Sequence, residues 1–320
     1  RITLIATAAN LNASFNAIAA ADSVQAKGRA TFNLTREFAA LAARQADGFT
    51  GRLDRNVPIT FTLDNLTAPL TAFDPKRTTV KLAVRVGDGV MTGDPRLGRV
   101  EWSGTQLTVN APNLARSIVV NADANVRQRN TDGVILVRST IENLFDSDGQ
   151  PQWERMIVDA TARAENLPTA LAEAFAGADG FVAAAFDDTF TVSAEIQSTG
   201  ADRATALLNV QSGDRLNGSI PLEMTDRLRV QPGKQARVTY RANPTIATMI
   251  SRLVGYEVSL DDPLTFTIDQ LDAPRPKTGE PPFQPAATTL VRKVDAGTVG
   301  VTDLPGAESP LGPMQLRHVM

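Results

Sequence analysis

The sequence predicts a mainly β protein: a repeated antiparallel sheet forming an elongated groove or sandwich, with short inserted α-helices. Three observations carry that prediction. Apolar and polar residues alternate with a period of two over many segments, turn residues separate those segments, and one strand pattern recurs 205 residues downstream, at Ile59 and again at Leu264.

The alternation is plainest from Ile118. Ile118, Val120, Ala122, Ala124 and Val126 lie on one side of an extended chain, and Val119, Asn121, Asp123, Asn125 and Arg127 on the other. Met156, Val158, Ala160, Ala162 and Ala164 repeat the pattern against Ile157, Asp159, Thr161, Arg163 and Glu165. So do Phe190, Val192, Ala194 and Ile196 against Thr191, Ser193, Glu195 and Gln197. Strands with one apolar and one wet face belong to antiparallel sheet. Gly87-Asp88-Gly89, Asp132-Gly133, Asp148-Gly149 and Pro232-Gly233 read as the turns between them.

Helical spacing replaces the alternation in three places. Asn243 and Pro244 suit an N-cap and first helical position, and Ile246, Met249, Ile250 and Leu253 follow at helical intervals before Gly255. Leu167 to Gly177, with Pro168 early and Leu167, Leu171 and Phe175 four apart, reads as a second helix. Thr35 to Gly48, with Phe38 and Leu41 in an Ala-rich stretch, reads as a third. The apolar stripes of residues 35–46, 168–176 and 244–254 are expected to plug or cover the apolar face of the sheet.

The repeat aligns Ile59 to Pro69 with Leu264 to Pro274, and seven of the eleven positions are identical. Gly28 and Gly233, also 205 apart, are expected to precede matching strands. Residues 1–112 then form the later half of one unit of about 205 residues, and 113–320 a second, nearly complete unit.

Composition removes chemistries. The 320 residues suffice to bury a core, and 42% hydrophobic with 21% charged residues fits a folded chain. A net charge of −3 offers nucleic acid no general attraction. With no cysteine and one histidine, His318, thiol catalysis, disulfides, structural zinc and a Ser-His-Asp triad lack raw material. Asp146-Ser147-Asp148-Gly149 opens like a calcium loop, but the later ligands are missing and a hairpin turn accounts for it. Asp64 and Asp269, recurring in the repeat, read as solvated strand-end residues rather than a catalytic pair. No phosphate-binding glycine loop is present, and no stretch of 18 apolar residues spans a bilayer. The expectation is a non-enzyme without catalytic residues, metal or cofactor. Because the chain opens on Arg1, targeting signals are expected outside it.

Ala164-Glu165-Asn166-Leu167-Pro168, the Leu-Ala segment to Gly177, Asp179-Gly180 and the strand after them resemble the strand, Leu-Pro, short helix pattern of the AsmA-like family, including its TamB-like members. The repeated Leu264-Thr265-Phe266-Thr267-Ile268-Asp269 strand is similar too. The resemblance implies a periplasmic protein, anchored in the inner membrane by a segment outside this chain, whose apolar β-groove moves phospholipid or another acyl-chain lipid in envelope maintenance. Ile59, Phe61, Leu63, Leu264, Phe266 and Ile268 become the groove candidates, with no nucleic-acid partner. The residues themselves leave open a surface or adhesin-like β-repeat with a closed core, and a hydrolase whose catalytic residues lie elsewhere.

Overall fold

The computed structural model describes residues 1–37, 51–94, 97–146, 148–152, 155–171, 182, 185–198, 200, 203–254, 256–260, 262–274, 289–295, 298–303 and 314–317. Eighteen of its strands belong to one antiparallel sheet. The chain divides into two compact units, Arg1–Pro168 with Ala194–Ala204, and Thr169–Ser193 with Thr205–Met320.

In the first unit nine strands pair side by side, almost all with their neighbours in sequence. They are β1 (Ile2–Ala8), β2 (Leu11–Ala19), β3 (Ser23–Leu34), β5 (Val57–Pro69), β6 (Thr79–Val86), β8 (Gly98–Asn113), β9 (Ser117–Gln128), β10 (Thr131–Glu142) and β11 (Ile157–Pro168). Two short strands, β4 (Arg52–Leu53) and β7 (Gly89–Asp94), pair with each other, and β7 pairs with the start of β8. Buried apolar residues gather at this margin: Leu53 in β4, Val57 opening β5, Leu97 and Val100 around the start of β8, and Leu167 closing β11.

The expected alternation over 118–126 lies in β9, and that over 156–164 lies in β11 apart from Met156, which precedes the strand. The Asp132-Gly133 turn is corrected, because both residues lie inside β10. The register Thr131↔Gln128 leaves Arg129 and Asn130 as the turn, with Arg129 at φ 54°. Close approach explains Gly133: a Cβ there would stand 2.9 Å from the Asn166 carbonyl oxygen and from Leu167 Cδ2.

The second unit carries β12 (Thr189–Ser198), whose end belongs to the first, then β13 (Ala204–Ser212), β14 (Leu216–Met224), β15 (Arg227–Val230), β16 (Ala236–Tyr240), β18 (Leu264–Pro274) and β19 (Thr289–Asp295). Strands β15 and β16 lie end to end between β14 and β18, parted at Pro232-Gly233, which is a turn as expected. A separate three-stranded sheet holds β17 (Tyr256–Leu260), β20 (Thr298–Asp303) and β21 (Met314–Arg317).

Helix α1 (Pro244–Val254) forms where predicted. Asn243 Oδ1 accepts from the Ile246 amide at 2.8 Å, satisfying one of the orphan donors of the first turn. It packs on β17, and Ile246 is 5% exposed. The side chains of Met249, Ile250 and Leu253, and residue Gly255, lie outside the described residues. The second predicted helix begins later than expected. Leu167 and Pro168 are the buried end of β11, and helical backbone starts at Thr169, because a residue before proline is held extended. The third is helical at 36–37, and the rest of residues 35–46 lies outside the described residues.

The two repeat strands share an irregularity. A bulge between Leu63 and Asn65 leaves Asp64 out of the β5–β6 ladder, and one between Ile268 and Gln270 leaves Asp269 out of β18–β19. Phe61 lies opposite Ala30 and Val84; Phe266 lies opposite Val238 and Val294. Gly28 and Gly233 are not equivalent. Gly28 sits inside β3, where a Cβ would be 2.2 Å from the Phe15 ring, whereas Gly233 is in the turn that splits β15 from β16. The strand β3 beside β5 is continuous, whereas β15 and β16 beside β18 are separate strands.

Replacing Ile246 by Asp should cost on the order of 3 kcal/mol, because it buries an unpaired carboxylate in the helix seat. Thermal unfolding monitored by circular dichroism checks this; a loss below about 0.5 kcal/mol would place Ile246 in solvent.

Candidate apolar face

Cross-strand pairing sets which side chains share a face. Followed strand by strand through the first unit, one row runs Ala6, Ala13, Ala30, Phe61, Val84, Leu107, Ala122, Val137 and Ala162. Every member is apolar. The row on one side holds Leu4, Phe15, Gly28, Leu63, Leu82, Val109, Val120, Ser139 and Ala160; the next holds Ile2, Ala17, Ala26, Leu66, Val80 and Ala111, and then Ile118, Ile141 and Val158 beyond a bulge. On the other side Phe32, Ile59 and Val86 line up. Four rows about 6.8 Å apart across nine strands spaced about 4.8 Å give a face on the order of 40 by 20 Å.

Few of these side chains are fully buried. On β9, β10 and β11 the apolar-face residues are all half-buried, Phe61 is 43% exposed and Leu107 37% exposed. In a two-layer protein the central strands would carry the most deeply buried residues. Here the fully buried apolar residues sit mainly at the strand ends. A contiguous apolar surface of this size exceeds the few hundred Å² usual on a soluble monomer.

The opposite face is polar and satisfies itself. Arg138 donates to Asp123 at 2.6 Å, Gln106 Nε2 donates to the same carboxylate at 3.4 Å, and Asn121 donates to Thr108 at 3.5 Å. The Thr31 and Thr60 hydroxyls are 3.3 Å apart. The Arg138 hydrogen bond, then that of Gln106, hold the Asp123 carboxyl below its ordinary range. On the second unit Arg227 and Arg229 do the same to Asp272, Arg229 at 3.4 Å.

The six sequence candidates fall into two groups. Ile59, Phe61 and Leu63 lie together on the apolar face of the first unit. Leu264, Phe266 and Ile268 share one side of β18, with Tyr240, Val238 and Ala236 opposite them on β16. There Gly218, Val238 and Phe266 form an apolar row beside a polar one of Asn217, Thr239, Thr265 and Asp295. At the end of that face Tyr240 donates its hydroxyl to the Ala185 carbonyl at 3.0 Å, its ring meets Phe186 edge-on at 6.0 Å, and desolvation raises its pKa. Sequence reading missed Val84, Leu107 and Val137, because alternation gives a strand its face but not its partner.

The other candidates are structural. Asp64 and Asp269 are mid-strand bulge residues rather than strand-end ones; Lys81 stands 3.8 Å from Asp64, and Gln235 donates to Asp269 at 3.3 Å. Asp146 accepts from the Asp148 and Gln150 amides at 2.8 Å, a turn that lowers its own pKa chiefly through Gln150. Among the described residues no group of three or more His, Asp or Glu is placed to hold a metal ion, and no helix is long and apolar enough to cross a membrane. His318 lies outside the described residues. A cleft of about 490 Å³ has a mixed lining, with Arg55, Glu101, Arg127 and Asp132 beside Trp102 and Val126, and Arg127 and Asp132 pair at 3.5 Å.

Comparison with protein-family models, with characterised proteins and with solved structures finds no match.

Because Asp123 and Asp272 have depressed pKa values, their contribution to stability is complete above the unfolded aspartate pKa and is lost as pH falls through the folded one. Asp123→Asn together with Asp272→Asn should therefore flatten the drop in melting temperature below about pH 4, while lowering it at neutral pH. Melting curves across that range check the sign.

Proposed function

We propose that the protein is a non-enzymatic carrier of phospholipid or another acyl-chain lipid, held against the apolar face of its sheet, and that it serves envelope maintenance in the periplasm. The observation that carries this reading is the row from Ala6 to Ala162, apolar on all nine strands and half-open at its centre, where Phe61 and Leu107 stay partly exposed. A closed core would bury those two first.

The energetics favour such a lining. Drawing an acyl chain of about 16 methylenes into water costs about 0.8 kcal/mol for each, roughly 13 kcal/mol in all. A surface that replaces the membrane must offer apolar contact along the whole chain without a charged interruption. On β9 to β11 the floor is made largely of small side chains, Ala122, Ala124, Ala160, Ala162 and Ala164, with Val and Ile between, which leaves room above the backbone. The polar face keeps the sheet wettable from behind.

A diazirine amino acid at Phe61, and another at Thr62 on the opposite face, tests the reading with vesicles of phosphatidylethanolamine and phosphatidylglycerol. Adducts are expected at position 61 and few at 62, because adjacent strand positions point to opposite sides. Equal labelling, or none in a folded protein, overturns it. Phe61→Glu should abolish lipid retained through purification, as read by mass spectrometry, while changing stability by less than about 1 kcal/mol, since the position is already partly in water.

A further inference from the structure

The connection between β5 and β6 presents apolar side chains where a turn ordinarily carries Gly, Asn, Asp or Ser. Leu70, Thr71, Ala72 and Phe73 follow one another without a charge and all four are exposed, Leu70 to 51% and Phe73 to 53%. The segment is firmly mounted. Pro75 and Thr78 behind it are buried, the Thr78 hydroxyl donates to the Asp74 carbonyl at 2.7 Å, the Ala115 amide donates to the Pro75 carbonyl at 3.2 Å, and the Phe73 ring meets Phe145 edge-on at 5.6 Å. Cations stand just behind the tip, and the nearby acids are engaged. Asp22 pairs with Arg77, the Asp74 carboxylate accepts from the Lys76 amide at 2.9 Å, and Asp146, in the connection that carries Phe145, accepts from the amides of its own turn. Among the described residues Lys76 and Arg116, both exposed, have no side-chain partner.

Leu70 also prolongs the apolar face. Its amide donates to the Asp22 carbonyl at 3.0 Å, which carries the β3–β5 ladder one step past the pairing of Pro69 with Ser23. The period of two then puts Leu70 on the side of Leu66 and Ala68 and, through the bulge at Asp64, of Leu63, Phe61 and Ile59. An apolar track thus runs along β5 from the middle of the face to the tip. We propose that this tip docks on a lipid bilayer bearing anionic headgroups, with Leu70 and Phe73 entering the acyl region and Lys76 and Arg116 lying against the phosphates. Apolar side chains at the tip with unpaired cations behind them match the layering of such a surface, acyl chains beneath phosphate. Acyl chains then pass between the bilayer and the face along β5, a step that rests on the carrier reading, whereas the docking does not.

Flotation with vesicles of phosphatidylethanolamine and phosphatidylglycerol tests the docking on the full chain. Leu70→Ser together with Phe73→Ser should weaken binding about tenfold or more, because two apolar side chains no longer leave water. Lys76→Gln together with Arg116→Gln should weaken it on the order of tenfold on these vesicles and leave binding to pure phosphatidylcholine unchanged. Circular dichroism should stay the same in both variants; if Phe73→Ser melts early for want of its Phe145 contact, Leu70→Ser alone carries the test, with a loss of about threefold. A diazirine at Phe61 separates docking from carriage. In the chain with both serines, labelling by lipid supplied in vesicles should fall about tenfold, while labelling by the same lipid dispersed in detergent should not change. No labelling of the unmodified chain from either source strikes the carrier reading alone, and flotation still decides the docking. Flotation that is absent, or that the serines leave unchanged, overturns the inference. So does a tip that joins two copies instead, seen by sedimentation velocity in lipid-free solution as a dimer that the serines dissolve.

Discussion

Strand register is the constraint on which the rest of this protein depends. Side chains on a strand alternate with a period of two, so a slip of one residue between neighbours would carry every apolar side chain to the wet face. The nine-strand apolar row exists only because eight successive pairings each keep the same phase. Several local contacts hold that phase. The tight turn at Arg129 and Asn130 locks β9 to β10, Arg138 on Asp123 crosses the same pair, and the Phe15 ring lies over Gly28 where only a hydrogen can fit.

The bulges at Asp64 and Asp269 belong to the same problem. Along β5 the apolar face takes Val57, Ile59, Phe61 and Leu63, and then Leu66, a step of three where the alternation allows two or four. One residue left out of the ladder resets the phase, and both apolar halves of the strand reach the same side. The identical resetting at Ile268 to Leu271 explains why an aspartate recurs there: a polar residue is tolerated at a position that pairs with nothing across the ladder.

Much of this was legible in the sequence because the signals were local. The alternation from Ile118 to Arg127 needed no partner to be read, and neither did the Asn243-Pro244 start of α1. What escaped reading was settled at a distance. Gly133 looked like a turn residue, and only the approach of Asn166 and Leu167 gives its reason. Leu167 looked like the first apolar position of a helix, yet Pro168 keeps it extended and its burial finishes a strand. Ile59, Phe61 and Leu63 could be assigned to one face from spacing alone. That Val84, Leu107 and Val137 extend that face needed the register of each intervening strand.

A sheet whose middle residues, among those described, stay half-buried rather than enclosed distributes its stability unusually. In the first unit each central strand is held by the strands on its two sides and by side-chain neighbours on its own faces, with the fully buried residues confined largely to the margin. Its free energy is then close to a sum of nearest-neighbour terms, as in a one-dimensional zipper, rather than the property of a shared interior. Opening should start at a margin of such a sheet and travel inward, while a defect in one hairpin leaves distant hairpins paired. Length in such a molecule costs little cooperativity, and strands can be added or lost in evolution without rebuilding a core.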